Sequence, residues 1–430
     1  MKLTFLGGAG EVGRSCILAE EKRTAVMLDC GIKLGEREEY PLLDDGLIKR
    51  TRRVVVSHAH IDHAGYLPML MRRGCKASIY ATKPTRDLMH LLLADYRRIN
   101  PEAVSDKEIE EVMRRCAIVE YGAKFGGGIK TEFRRSGHIL GGAMIKLSAD
   151  KNILYTSDIE IKGSRLIEGA ETGIRADTLI IESTYGGFED KHPPAKSEFA
   201  KLCETINRTI SRGGVVLIPS FAVGRGQEVL ITLESYMRSG VIKKVPIWVD
   251  GMIIKANRIY RQNVIYARRE IQLRILMSDD DPFKSRFFRM PKTKDRSDVL
   301  GEGGIIVASS GMLTGGPVVG YLKALAADPK NTLALVGYQA KGTLGRKLLD
   351  GERRVIIGGD EINVNMEVVK FELSAHADRQ GLVSFARSIR GLKKIFIVHG
   401  DERKPYELKE SLEKYGYDVV VPANLESYTV

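Results

Sequence analysis

Four side chains able to bind a metal fall within six residues of one stretch, Arg53-Val-Val-Val-Ser-His58-Ala-His60-Ile-Asp62-His63-Ala-Gly65. Neutral imidazoles and a carboxylate converging on one point are what zinc chemistry requires. The protein has only 8 histidines in 430 residues, so a His-x-His-x-Asp-His cluster is far more specific than a lone His-x-His. Val54 to Val56 is β-branched and apolar and reads as a strand buried on both faces. His58 and His60 stand two residues apart at its end, where alternate residues project to the same side. A helix is predicted to follow at once, with Asp62 near its N-terminus and Gly74 as its stop.

Other apolar runs end in polar residues in the same way. Ala25 to Leu28 runs into Asp29; Asn152-Ile-Leu-Tyr-Thr-Ser leads to Asp158; Thr178-Leu-Ile-Ile leads to Glu182; Lys394-Ile-Phe-Ile-Val leads to His399. Phe133-Arg-Arg-Ser-Gly-His138-Ile-Leu-Gly-Gly ends a strand in a histidine whose flanking glycines permit close backbone approach. From residue type alone Asp29 and Asp158 read equally as turn or cap residues, and His138 as a structural histidine. His90, inside a predicted helix from Pro84 to Ile99, reads as packing or surface; Asp106 to Cys116 has helical spacing too.

Composition narrows the partners. Hydrophobic residues make up 43% and charged residues 28%, an ordinary globular balance. No run resembles a membrane span, and the apolar start at Leu3 to Leu6 is too short for a signal-peptide core, so a cytoplasmic protein is expected. Five scattered cysteines without a Cys-x-x-Cys pair argue against a disulfide framework or a thiolate zinc site. The net charge is +12, and residues 187–360 hold 28 Lys and Arg against 18 Asp and Glu. Such an excess favours an anionic partner such as nucleic acid.

After Gly187 the pattern changes to alternating helices and strands: helices over Ser197 to Ser211 and Gly226 to Arg238, strands over Gly214 to Ile218, Val245 to Val249, Gly304 to Ala308 and Thr332 to Val336. That order implies a doubly wound α/β unit, which binds ligands at the carboxyl edge of its sheet. The loops there are Pro219-Ser-Phe-Ala-Val-Gly-Arg225, Ser309-Ser-Gly-Met-Leu-Thr-Gly-Gly and Gly337-Tyr-Gln-Ala-Lys-Gly-Thr343-Leu-Gly-Arg346. Their glycines and helix N-termini offer N–H groups to phosphates. Ser220, Arg225, Ser309, Ser310, Gly311, Lys341, Thr343 and Arg346 are the candidate RNA contacts. Tyr260 to Arg296 interleaves Lys and Arg with Tyr260, Tyr266, Phe283, Phe287 and Phe288, which suits stacking on single strands, or else an ordinary helix face whose aromatics are core.

The histidine cluster after a hydrophobic strand resembles the metallo-β-lactamase signature, and the later loops resemble the inserted β-CASP domain of nucleic-acid-processing members. The resemblance covers essentially the whole chain. The wording Ser-Ala-His376-Ala-Asp is similar to the cleavage and polyadenylation specificity factor branch in its short archaeal form, related to ribonuclease J. It implies an αββα metallo-β-lactamase sandwich over residues 1–186 and 361–430, with the β-CASP domain at 187–360. By resemblance, His58, His60 and His138 hold one zinc ion, Asp62, His63 and His399 a second, and Asp158 bridges them; Asp29 buttresses the ligand loop. The two zinc ions would share a hydroxide that attacks an RNA phosphodiester, with His376, oriented by Glu182, protonating the leaving oxygen. The expectation is a zinc-dependent ribonuclease leaving 5′-phosphate and 3′-hydroxyl ends, endonucleolytic with 5′→3′ exonuclease activity open beside it. A strict ribonuclease J-like exonuclease, a non-catalytic RNA-processing subunit and a small-molecule hydrolase are the rivals. Without a preceding RNA-binding domain, single-stranded RNA is expected to be gripped by these two domains alone. A homodimer through the strand-like tail at 426–430, or membership of a larger RNA-processing complex, stays open.

Overall fold

Alternation along each strand decides what the sheets bury. The computed structural model describes residues 1–35, 37–278 and 280–430. Its chain falls into two compact units, residues 1–163, 167–191 and 375–430 in one and residues 164–166 and 192–374 in the other.

The first unit contains two seven-stranded sheets. One runs Ser427–Thr429, Lys2–Gly7, Cys16–Glu21, Thr24–Leu28, Arg53–Val55, Ser78–Ala81, Cys116–Ile118. The other runs Asp418–Val420, Lys394–Val398, Thr178–Glu182, Asn152–Tyr155, Ala143–Ser148, Lys130–Arg135, Lys124–Phe125. Phe5, Ile17, Val26 and Val55 of the first sheet share one buried layer with Ile145, Ile153, Ile180 and Phe396 of the second. The residues between them, Leu154, Leu179, Ile181, Ile395 and Ile397, face the other way, onto Leu382 and Phe385 of helix Arg379–Ser388 and Leu408 and Leu412 of helix Lys404–Glu413. Helices Lys83–Ile99 and Asp106–Arg115 pack on the outer strands of the first sheet. Each fully buried aliphatic side chain in these layers stabilises by roughly 1.5–3 kcal/mol, and the result is the expected αββα sandwich. His90 is exposed on its helix.

One expectation changes here. The predicted helix to Gly74 is two short helices, Ile61–Ala64 and Leu67–Arg72. The ladder breaks because its backbone groups are used elsewhere: the Ile61, Asp62 and His63 carbonyls accept from the Ile32, Ser15 and Cys30 amides at 2.9, 2.9 and 2.8 Å, and the Tyr66 amide donates to Cys30. The strand-like tail is the edge strand of the first sheet: Ser427–Thr429 pairs with Lys2–Thr4, and Tyr428 packs on Phe5 and Phe396.

The second unit is built on a six-stranded, all-parallel sheet ordered Phe288–Arg289, Ile247–Asp250, Ile305–Ala308, Val216–Pro219, Thr332–Leu335, Glu367–Lys370. Val216 and Ile218 face a core shared with helices Ala195–Ser211 and Arg225–Arg238. Leu217 faces the opposite layer, with Tyr321 and Leu322 of helix Pro317–Leu325. A first strand at the centre, with chain running to both sides and both faces covered, is the doubly wound arrangement. Among the described residues no helix is long and apolar enough to cross a membrane.

Candidate metal centre

Strand tips converge because parallel neighbours stop in register. Leu28 lies opposite Val55 in one sheet; in the other, Tyr155 pairs with Ile180 and Glu182 with Val398. The residues just beyond these ends are Asp29, Ser57 and His58, then Asp158 and His399. Asp29, Ser157 and His399 take left-handed backbone, with φ of +57°, +51° and +50°, which breaks the strand alternation at each tip. Such conformations cost of order 1–3 kcal/mol each and persist only where surroundings enforce them.

Those surroundings are a buried hydrogen-bond network. Asp29 Oδ2 accepts from His63 Nδ1 at 2.8 Å, the Ser57 hydroxyl at 2.7 Å and the Tyr155 hydroxyl at 3.0 Å, while Oδ1 accepts from the Ser57 amide at 2.7 Å. Ser57 and Ser157 hydroxyls lie 2.7 Å apart and tie the two sheets together. A proton fixed on His63 Nδ1 makes Nε2 the nitrogen turned to the cluster, which is how such partners select the ligating tautomer. His138 Nδ1 likewise donates to the Ala375 carbonyl at 2.9 Å.

Three groups of donor atoms result: His58, His60, His138 with Asp158; Asp62, His63, His399 with Asp158; and Glu182, His376 with Asp158. In the first, His60 Nδ1 is 3.1 Å from both His58 Nε2 and His138 Nε2, and Asp158 Oδ2 is 3.5 Å from the same two nitrogens. Tetrahedral zinc with bonds near 2.0–2.1 Å would set its ligand atoms about 3.3–3.4 Å apart. In the second, Asp158 Oδ1 is 3.3 Å from His63 Nε2 and 3.5 Å from His399 Nδ1, and Asp62 Oδ2 is 3.3 Å from His399 Nε2. The two oxygens of Asp158 thus face different histidine groups. His63 Nε2 and Asp158 Oδ1 are fully buried and hydrogen-bonded to nothing among the described residues. Leaving such atoms unpaired costs about 1–3 kcal/mol each; a cation between them relieves both. The residues present fit a divalent ion.

Electrostatics agree. Burial, reinforced for His58 and His138 by neighbouring imidazoles, pushes His58, His60 and His138 toward their neutral, ligating form. In the second group burial is overcome: Asp158 with Asp62 raises His63 and His399, and His63 above all holds both carboxylates below their usual range. Carboxylates that draw protons onto imidazoles mark a pocket of excess negative charge, which a metal discharges by displacing those protons.

Beside the first group, His376 Nδ1 lies 2.9 and 3.0 Å from the two oxygens of Glu182, which is wholly buried. Glu182 is itself held by the Ile159 and Thr184 amides at 2.7 and 3.3 Å. Burial disfavours the imidazolium of His376, but Glu182 and then Asp158 outweigh it and raise its pKa to about 9. All seven predicted ligand residues, with His376 and Glu182, therefore meet at one edge of the first unit. Sequence reasoning missed Ser57, Ser157 and Tyr155; the only signal was that polar residues stood at strand ends.

The loops of the second unit do meet at the carboxyl edge of its sheet. Gln339 Nε2 donates to the Gly311 carbonyl at 2.9 Å, and the Gly345 amide to Met312 at 3.3 Å. Gly311 has no room for a side chain, since a Cβ would stand 2.8 Å from the Phe221 amide nitrogen. Several candidate contacts are already engaged: Arg225 pairs with Glu228, Arg346 with Asp350 at 2.9 Å, Ser310 donates to Gly315, and Thr343 caps helix Leu344–Leu349. Ser220 and Ser309 are buried, and Lys341 is exposed. Over Tyr260 to Arg296 the alternative of core aromatics holds for much of the stretch, though Tyr266, Phe287 and Phe288 are half-buried. Tyr260 and Phe283 are buried and Phe287 and Phe288 pack on the core, while Arg261, Arg274 and Arg296 pair with Asp281, Asp280 and Asp250. Tyr260 and Phe283 serve the interior.

Comparison with known proteins agrees with this architecture. Residues 9–194 match the metallo-beta-lactamase superfamily, residues 226–348 the Beta-Casp domain, and residues 361–422 the Zn-dependent metallo-hydrolase RNA specificity domain. The chain is 37% identical to transcription termination factor FttA of Methanothermobacter thermautotrophicus and 38% identical to that of Methanocaldococcus jannaschii, in each case over 100% of this chain and 72% of the relative. A crystal structure of a protein of unknown function from Enterococcus faecalis V583 shares the fold, with a TM-score of 0.61 at 13% identity over 100% of this chain and 99% of the other. Two sheets ending in paired histidine groups, an inserted doubly wound unit and similarity over the whole of this chain to archaeal termination factors establish that the chain belongs to the metallo-β-lactamase superfamily, in its β-CASP branch.

Proposed function

We propose that the protein is a zinc-dependent ribonuclease that cuts single-stranded RNA, endonucleolytically, to 5′-phosphate and 3′-hydroxyl ends. The observation that carries this is Asp158, whose two oxygens address two separate histidine groups. His58, His60, His138 and Asp158 would hold one ion; Asp62, His63, His399 and Asp158 the other. Bound there, such a pair supplies Lewis-acid activation of water and neutralises charge on a phosphodiester. Every other task falls to the chain. Asp29 and the Ala375 carbonyl keep His63 and His138 in their ligating tautomers. His376, held in its protonated form by Glu182, delivers a proton from Nε2 to the departing ribose 3′-oxygen. The 2′-hydroxyl takes no part as nucleophile, so preference for RNA rests on binding.

RNA as substrate is supported by the net charge of +12, by the matched RNA specificity domain and by relatives named for transcription termination. The test is incubation of the zinc-loaded protein with 5′-labelled monophosphorylated and triphosphorylated RNA. Internal fragments from both are expected, and none after chelation. Mononucleotides released only from the monophosphorylated strand would establish the exonuclease reading, and cleavage that survives chelation would overturn the mechanism.

A further inference from the structure

The glycine-rich loop at residues 8–15 has no part in the chemistry above, yet both its ends grip the backbone of the second ligand group. At one end the Gly8 carbonyl accepts from the His399 amide at 2.7 Å; at the other the Ser15 amide donates to the Asp62 carbonyl at 2.9 Å. Between them the Val12 amide donates to Asp401, two residues past His399, at 3.0 Å. Gly8, Gly10 and Gly13 have φ of +77°, +70° and +102°, and the loop belongs to no helix or strand. A segment so permissive does not hold one shape unaided.

What holds it is Glu11, a carboxylate only 9% exposed. It accepts from Arg14 Nε at 2.7 Å within the loop, from Lys33 Nζ at 2.8 Å beyond the neighbouring strand, and from Asn424 Nδ2 at 2.7 Å near the other end of the chain. Asn424 in turn accepts from the Ala9 amide at 3.3 Å. Lys33 also sits under Gly13, where a Cβ would fall 2.8 Å from its own Cβ. The first group has other buttresses, the Ser57 and Ser157 hydroxyls at His58 and the Ala375 carbonyl at His138, with Ser157 shared with His63.

We infer that Glu11 is a positioning residue for one half of the metal centre: by closing the 8–15 loop it sets the backbone of Asp62 and His399, and so the affinity of the second ion alone. The inference rests on the two-ion reading. Glu11 touches no donor atom of the cluster and acts through the two amide contacts. Loss of such supporting contacts typically weakens a metal site about 10- to 100-fold.

The test is titration of metal-free full-length protein with Co²⁺, following its visible absorption, with bound metal counted after dialysis and thermal unfolding recorded in parallel. Wild type is expected to take up two ions. Glu11→Ala should bind the first as wild type does and the second at least 10-fold more weakly, with Glu11→Gln in between because one amide oxygen replaces two acceptors. Should Glu11→Ala fail to fold, Asn424→Ala opens the same loop from the other side and is expected to show the same selective loss. Two ions bound with unchanged affinity in the variants, or equal weakening of both ions, overturns the inference. A wild type that binds fewer than two overturns the two-ion reading and the inference with it.

Discussion

His376 and Glu182 show how a buried pair sets a proton's availability. A histidine that serves as general acid must be protonated to act, and Glu182 with Asp158 raises the pKa of His376 to about 9 in the metal-free protein. Once cations neutralise Asp158, Glu182 is the principal acid partner left. Cleavage by the zinc-loaded protein is therefore expected to hold through neutral pH and to fall as pH rises through the His376 pKa. Glu182→Gln should move that alkaline fall to lower pH, which a pH–rate profile at saturating RNA reads directly. His376→Ala should lower kcat by about 10²- to 10⁴-fold, the usual worth of general acid–base catalysis, with bound zinc unchanged; loss of zinc would make His376 a ligand instead. Asp29→Asn keeps the shape of its side chain but places an amide where His63 Nδ1 must donate. Zinc affinity is expected to drop about 10- to 100-fold, measured by competition with a chelating dye.

At the scale of elements, the close approach of Gly31 to the loop after His60 decides whether the ligands meet at all. A Cβ on Gly31 would stand 1.7 Å from the Asp62 carbonyl oxygen, so Gly31→Ala must push the loop off the sheet. Both zinc content and the unfolding midpoint in urea are expected to fall, whereas Gly74→Ala, which has open space but a φ of +84°, should cost stability and leave zinc in place. The strands that end at the site were legible in the sequence where they are short apolar runs closed by a polar residue, and Thr178–Glu182 is found where the pattern puts it; Ser78–Ala81 and Ala143–Ser148, which lack that ending, were not. The ligand cluster was legible because His58 to His63 carries its spacing within one turn of chain. What could not be read was whatever depends on a distant partner. The helix after His60 breaks because Ser15, Cys30 and Ile32 use its backbone groups, and the aromatics between Tyr260 and Phe288 meet a core whose other side lies far away in sequence. Asp29 needed Ser57, Tyr155 and His63 beside it before it could be distinguished from a turn aspartate.

At the scale of the whole molecule, metal and fold are thermodynamically linked. An ion that binds the native state alone, at a free concentration 1,000 times its dissociation constant, adds about 4 kcal/mol of stability, so chelation should lower the melting temperature measured by calorimetry and zinc should restore it. The pH dependence of the metal-free form has a definite sign. His63 and His399 have raised native pKa values, so their contribution is complete below the ordinary histidine range and is lost as pH rises through those raised values. Metal-free protein should weaken toward alkaline pH, and zinc should flatten that dependence. The sheet carrying Asp158 and Glu182 also contains Lys394–Val398, and residues 192–374 are made between them. A nascent chain thus displays His58, His60, His63 and Asp158 on the ribosome well before His399 emerges. The second donor group is therefore closed only after all of residues 192–374 have been made, so a half-made polypeptide can capture an ion at the first group while the second still lacks His399.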